Sequence, residues 1–123
     1  MNKYDVAAKI HRDVNKSVEY KKDLEQYSLP DYWTIAGKYG DCEDYALLKR
    51  ARLLEIGWDS DKLGLCICFT ETNEGHCVLY VNTDKGAFIL DNRYSNPATP
   101  SLLPYKWDSM LCNGKWYQLS GWQ

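Results

Sequence analysis

Apolar residues recur at helical spacing in two stretches of this chain and at strand spacing in a third. Over residues 3–18, Val6, Ala7, Ile10, Val14 and Val18 fall on one stripe. That predicts an amphipathic helix with one face on a core, and His11 falls on its polar, solvated side. Residues 19–40 lose the period. Pro30, Gly37 and Gly40 break them into a loop-rich approach holding at most a short helix. From Asp41 the helical pattern returns, with Ala46, Leu47, Ala51, Leu53 and Leu54 apolar and Tyr45, Leu48, Arg52 and Glu55 on the other side. Asp41 suits an N-cap and Gly57 a stop.

After Trp58 the period shortens. Residues 63–70, 76–81 and 87–91 predict three strands, the last two joined antiparallel through the turn-rich link Asn82-Thr83-Asp84-Lys85-Gly86. If the turn occupies 82–85, Val81 pairs with Gly86 and His76 falls directly opposite Asp91. A slip of one residue would put those two on opposite faces. Both faces of the hairpin are apolar, so the sheet is expected to be covered on both sides. Pro97, Pro100 and Pro104 make residues 93–104 a loop, and 115–119 is a candidate further strand. The pattern is that of an α+β domain. With 123 residues, one domain spanning 1–123 is expected, since a second would be too small to bury a core.

Composition narrows the partners. The chain is 45% hydrophobic and 26% charged, with a net charge of −2 and no basic stripe, which argues against nucleic acid. There is no uninterrupted apolar span, so neither a membrane segment nor a signal peptide is read, and the default location is the cytoplasm. The five cysteines form no disulfide framework or zinc pattern. Cys66, Cys68 and Cys77 read as small core residues. A monomer is the expectation.

The candidate chemistry lies at three element ends. Cys42, in Gly40-Asp41-Cys42-Glu43-Asp44-Tyr45-Ala46, opens the second helix. There, free N–H groups and the helix dipole favour a negative sulfur and can donate to an oxyanion. Asp41, Glu43 and Asp44 oppose this by raising the thiol pKa, so a cation such as imidazolium is needed. His76 can supply it, and Asp91 can orient His76. Singly, these residues read as a cap, a strand-end polar group and a turn former. Together, in this order, they read as nucleophile, base and orienter.

With those residues in view, the chain resembles the bacterial transglutaminase-like cysteine proteinases, within the wider transglutaminase-like, papain-related superfamily. The matching residues are Val14-Asn15-Lys16-Ser17-Val18-Glu19-Tyr20, Asp23, Asp31-Tyr32-Trp33, the string 40–46, Lys49, Leu53, Gly57, Gly75-His76-Cys77-Val78-Leu79 and Leu90-Asp91-Asn92. The resemblance implies a helix bearing the catalytic Cys42 packed on an antiparallel β-sheet bearing His76 and Asp91. It implies a calcium site at Asp41, Glu43 and Asp44, for which N-capping and dipole complementation are the competing explanation. Tyr32, Trp33 and Tyr39 are candidates for the substrate groove or a second oxyanion donor, or for the core. The stretch from Trp33 to Cys42 is shorter than the family pattern and lacks its Pro-x-Glu step.

The function expected is a thiol hydrolase of a peptide or isopeptide bond in a protein or peptide substrate, with no cofactor required by the chemistry itself. Its rivals are a transglutaminase or glutamine deamidase using the same thioester, and a non-catalytic binding module on the same fold.

Overall fold

The computed structural model describes residues 2–17 and 41–119. Two helices, α1 (Lys3–Ser17) and α2 (Asp41–Glu55), precede five strands: β1 (Leu63–Phe69), β2 (Gly75–Thr83), β3 (Gly86–Leu90), β4 (Lys106–Cys112) and β5 (Lys115–Gln118). The strands form one antiparallel sheet in the order β3-β2-β1-β4-β5. This is the α+β arrangement the periodicity predicts, with α2 packed on the sheet and α1 on α2.

Helix α2 stops where glycine allows it. Gly57 has φ +102°. Its N–H bonds the Leu54 carbonyl at 3.1 Å, and the Trp58 N–H bonds that of Leu53 at 3.1 Å. That is a Schellman ending, and it folds buried Trp58 back towards buried Leu53.

Alternation along the strands divides the sheet's side chains into two cores. On the α2 side lie Leu65, Ile67, Cys77, Leu79, Val81 and Leu90, packed with Cys42, Ala46 and Leu53. The opposite side holds Cys66, Cys68, Val78, Ile89, Tyr105 and Trp107. Cys66, Cys68 and Cys77 are therefore core residues, as their composition suggested, and all five cysteines are free thiols.

Three expectations need correction. The first is the hairpin register. Strand β2 runs on to Thr83, which pairs with Gly86, so Val81 faces Phe88 and Leu79 faces Leu90. The Thr83 hydroxyl closes the turn, accepting from the Lys85 N–H at 3.0 Å and donating to the Gly86 carbonyl at 2.9 Å. Because the slip is two residues, His76 and Asp91 keep a common face but are no longer opposite each other.

The second is β4, which the pattern reading passed over. The turn between β4 and β5 is Asn113-Gly114, with φ +52° and +82°, a two-residue hairpin signal that was present in the sequence. The third is His11, expected in solvent, which is fully buried.

Candidate functional site

Cys42 is the second residue of α2 and buried at 6% exposure. Its sulfur accepts a hydrogen bond from the backbone N–H of Cys77 at 3.3 Å. N–H groups alternate sides along a strand, so that of Cys77 points the same way as those of Leu79 and Val81, towards β3. The β2–β3 ladder ends at Leu79–Leu90. The thiol thus occupies a place on the edge of β2 that β3 has left.

His76, also buried, is the residue just before Cys77, and its Nε2 lies 2.9 Å from Asp91 Oδ1. Asp91 follows the last residue of β3 and is 1% exposed. Burial pushes its pKa up, but hydrogen bonding and charge from His76, together with the Tyr105 hydroxyl and the Arg93 N–H, hold it below the usual carboxylate value. An ionised carboxylate only accepts, so Nε2 carries the proton, and Nδ1 is the nitrogen that remains for proton transfer.

The Cys42 thiol is pushed up to about 11, first by burial, then by the charges of Glu43 and Asp91. The Cys77 N–H and its own backbone N–H act in the other direction. Glu43 therefore opposes ionisation, as its placement predicted, and Asp91 adds to it. The helix N-terminus alone does not make a thiolate here.

Asp91 collects more donors than sequence reasoning found. The Tyr105 hydroxyl donates to Oδ2, and the Arg93 backbone N–H donates to Oδ1 at 3.0 Å. Arg93 Nη1 donates to the Tyr105 oxygen at 3.1 Å, and its Nη2 pairs with Glu71 at 2.7 Å. No spacing or motif marks Tyr105, Arg93 or Glu71, because they meet only across the folded sheet end. Beside them opens a groove of about 670 Å³ lined by Thr70, Glu71, Asn73, Leu103, Tyr105 and Lys106.

Two buried cation-forming groups lie on the helices. On α2, Cys42, Ala46, Lys49 and Leu53 share a face, and Lys49 is fully buried with no hydrogen-bond partner for Nζ among the described residues. Its ammonium lies 5.7 Å from the Tyr45 ring centroid. Burial lowers its pKa to about 7 against the favourable charge of Asp91. On α1, His11 Nε2–H donates to the Tyr94 carbonyl at 2.8 Å. Burial, then the Lys49 charge, lowers its pKa to about 4.

Tyr32, Trp33 and Tyr39 lie outside the described residues, as does the side chain of Asp41. Glu43 is buried and Asp44 half-buried on the first turn of α2. Among the described residues no three His, Cys, Asp or Glu side chains gather as a metal shell. No described helix is long and apolar enough to cross a membrane.

The model of the bacterial transglutaminase-like cysteine proteinases matches residues 2–122. The chain belongs to that family. Among solved structures, this family member is similar to LapG of Legionella pneumophila. It is 25% identical to the calcium-bound form, with a TM-score of 0.67, covering 91% of this chain and 66% of that one. The EGTA-treated form gives 26% identity and the same TM-score over 91% and 64%. This proteinase-family chain thus spans just under two thirds of the length of those structures. No curated protein matches it.

Proposed function

We propose that this chain is a cysteine hydrolase that cleaves a peptide or isopeptide bond in a protein or peptide substrate. Cys42 is the nucleophile, His76 the base and acid, and Asp91 the orienter. The observation that carries the reading is the pairing of two contacts at one sheet edge. The Cys42 sulfur sits on the N–H of Cys77, and the preceding residue, His76, is tied through Nε2 to Asp91. Family membership supports the same assignment.

The steps follow from the proton inventory. His76 Nδ1 takes the thiol proton, which a buried thiol does not shed unaided. Sulfur attacks the carbonyl carbon, and the Cys42 backbone N–H at the helix end faces the developing oxyanion. The imidazolium returns its proton to the leaving nitrogen as the C–N bond breaks, leaving a thioester. Water, deprotonated by His76, then releases the acid and restores the thiol. Asp91 stays ionised throughout and stabilises the transient imidazolium.

An amine acceptor at the thioester would give crosslinking, and water acting on a glutamine thioester would give deamidation. Mass spectrometry of a treated protein substrate separates them. A new chain terminus is the expected product and must vanish with Cys42→Ala. Conversion of glutamine to glutamate, or a covalent pair, would overturn the proteolytic reading.

Calcium enters this reading as a ligand of the first turn of α2, not as a participant in bond making. The comparison structures were solved calcium-bound and EGTA-treated. Asp41, Glu43 and Asp44 offer the oxygen donors a hard cation takes, with further donors needed to complete six to eight. A thermal midpoint that rises with calcium and falls with EGTA supports this, and no change removes it.

A further inference from the structure

We propose that Tyr105 is a positioning residue for the His76–Asp91 pair, clamped from the surface by Arg93 and Glu71. This rests on the role given above to His76 and adds a residue to it.

Tyr105 is 4% exposed and touches both members of the pair. Its hydroxyl donates to Asp91 Oδ2, and its ring meets the His76 ring edge to face with centroids 5.4 Å apart. The direction of the hydroxyl bond follows from Arg93. A guanidinium only donates, so the phenol oxygen accepts from Nη1, and its single proton is left for the carboxylate. Burial, then the hydrogen bond to Asp91, pushes the phenol pKa up, which keeps that proton in place.

The carboxylate needs this partner. Oδ1 already takes His76 Nε2 and the Arg93 N–H. Without Tyr105, Oδ2 would be a buried acceptor lacking its donor, and the carboxylate would be free to rock about its last torsion. The imidazole would rock with it. Tyr105 blocks that motion from one side and limits the tilt of the ring from the other.

Arg93 holds the tyrosine. Nη2 bonds Glu71 Oε2 at 2.7 Å, while Nη1 is shared between Glu71 Oε1 at 3.2 Å and the phenol. The guanidinium carbon also stands 5.6 Å from the Tyr105 ring centroid. An exposed ion pair of this kind adds little to stability. Its consequence here is to fix the phenol, and Glu71 does so from the β1–β2 turn that leads directly into His76.

The opposing account is that Tyr105 only fills the core beside Trp107, whose ring lies 5.7 Å from its own. Tyr105→Phe keeps that packing and removes the hydroxyl. The whole chain is measured in two ways: the low-field proton resonance of His76 Nε2–H, and the iodoacetamide alkylation rate of Cys42 at neutral pH. We expect the resonance to broaden into solvent exchange or move upfield, and alkylation to slow about tenfold. If both stay at their wild-type values, the proposal is overturned. Should Tyr105→Phe fail to fold, Glu71→Gln, on an exposed turn, decides the matter. A broadened Nε2–H resonance supports the clamp, and an unaltered one overturns it. His76→Ala reads the underlying reading separately. If it alkylates as fast as wild type, His76 is not the base, while the wild-type ring resonance still reports on Tyr105.

Discussion

The N–H of Cys77 donates to the sulfur of Cys42, joining the first turn of α2 to the strand position directly after His76. That bond exists because β3 leaves β2 after Leu90, freeing the edge that pairing beyond Leu79–Leu90 would have used. Asp91, the first residue beyond the ladder, turns back onto His76 instead. One early divergence between two strands therefore makes room for the thiol and delivers the carboxylate.

If His76 is the base, Cys42 depends on it for reactivity. His76→Ala should slow iodoacetamide alkylation of Cys42 at neutral pH by roughly 100-fold or more, with the fold intact. Peptide mapping identifies the modified cysteine. Cys66, Cys68 and Cys77 are buried and should stay unmodified in the native protein.

Asp91→Asn preserves shape and inverts hydrogen bonding. All three of its partners, His76 Nε2–H, the Tyr105 hydroxyl and the Arg93 N–H, are donors, and an amide offers only one acceptor oxygen. Activity should fall by roughly 10²–10⁴-fold. Chemical denaturation should show a loss of about 2 kcal/mol.

Stability should rise with pH in two windows. His11 has a folded pKa of about 4 against 6.5 unfolded, so between those values the unfolded chain binds the extra proton and acid destabilises the fold. Lys49 has about 7 against 10.5, so its own contribution has the same sign and increases as pH climbs from 7, until above about 9 the buried thiols, whose pKa values burial raises, act in the opposite direction. Lys49→Met should raise stability at neutral pH by about 1–3 kcal/mol and remove the second window. Urea denaturation at stepped pH measures both. A Lys49→Met protein that keeps the wild-type slope above neutrality would show that Lys49 is not the group titrating.

Gly57→Ala meets no atom within 4 Å but must hold φ at +102°. The cost is conformational rather than steric contact, about 1 kcal/mol. It should appear as a lower denaturation midpoint with unchanged Cys42 alkylation, because Gly57 ends α2 far from the thiol in sequence.

Much of this was readable before folding. The helix stripes, the Gly57 stop and the strand alternation follow from local geometry, where the period of the backbone sorts side chains by face. The same parity placed His76 and Asp91 on one face even though the assumed turn was two residues wrong. The register itself was not readable, since Thr83 and Gly86 make a closed turn that the link's composition does not distinguish from a longer one. His11 misled for a related reason, and Lys49 carried no burial signal of its own. Polar letters on a helix stripe read as solvent-facing, and only the packing of α1 and α2 shows that they are enclosed.

The sequence by itself determined the order of elements, the candidate residue types and the end of an element on which each sits, because these depend on neighbours a few positions apart. Only the tertiary structure decided where β3 parts from β2, that Tyr105 and Arg93 close around Asp91, and that the thiol is buried. Those outcomes depend on contacts between segments dozens of residues apart, and burial strengthens both the hydrogen bonds and the charges involved once water is gone.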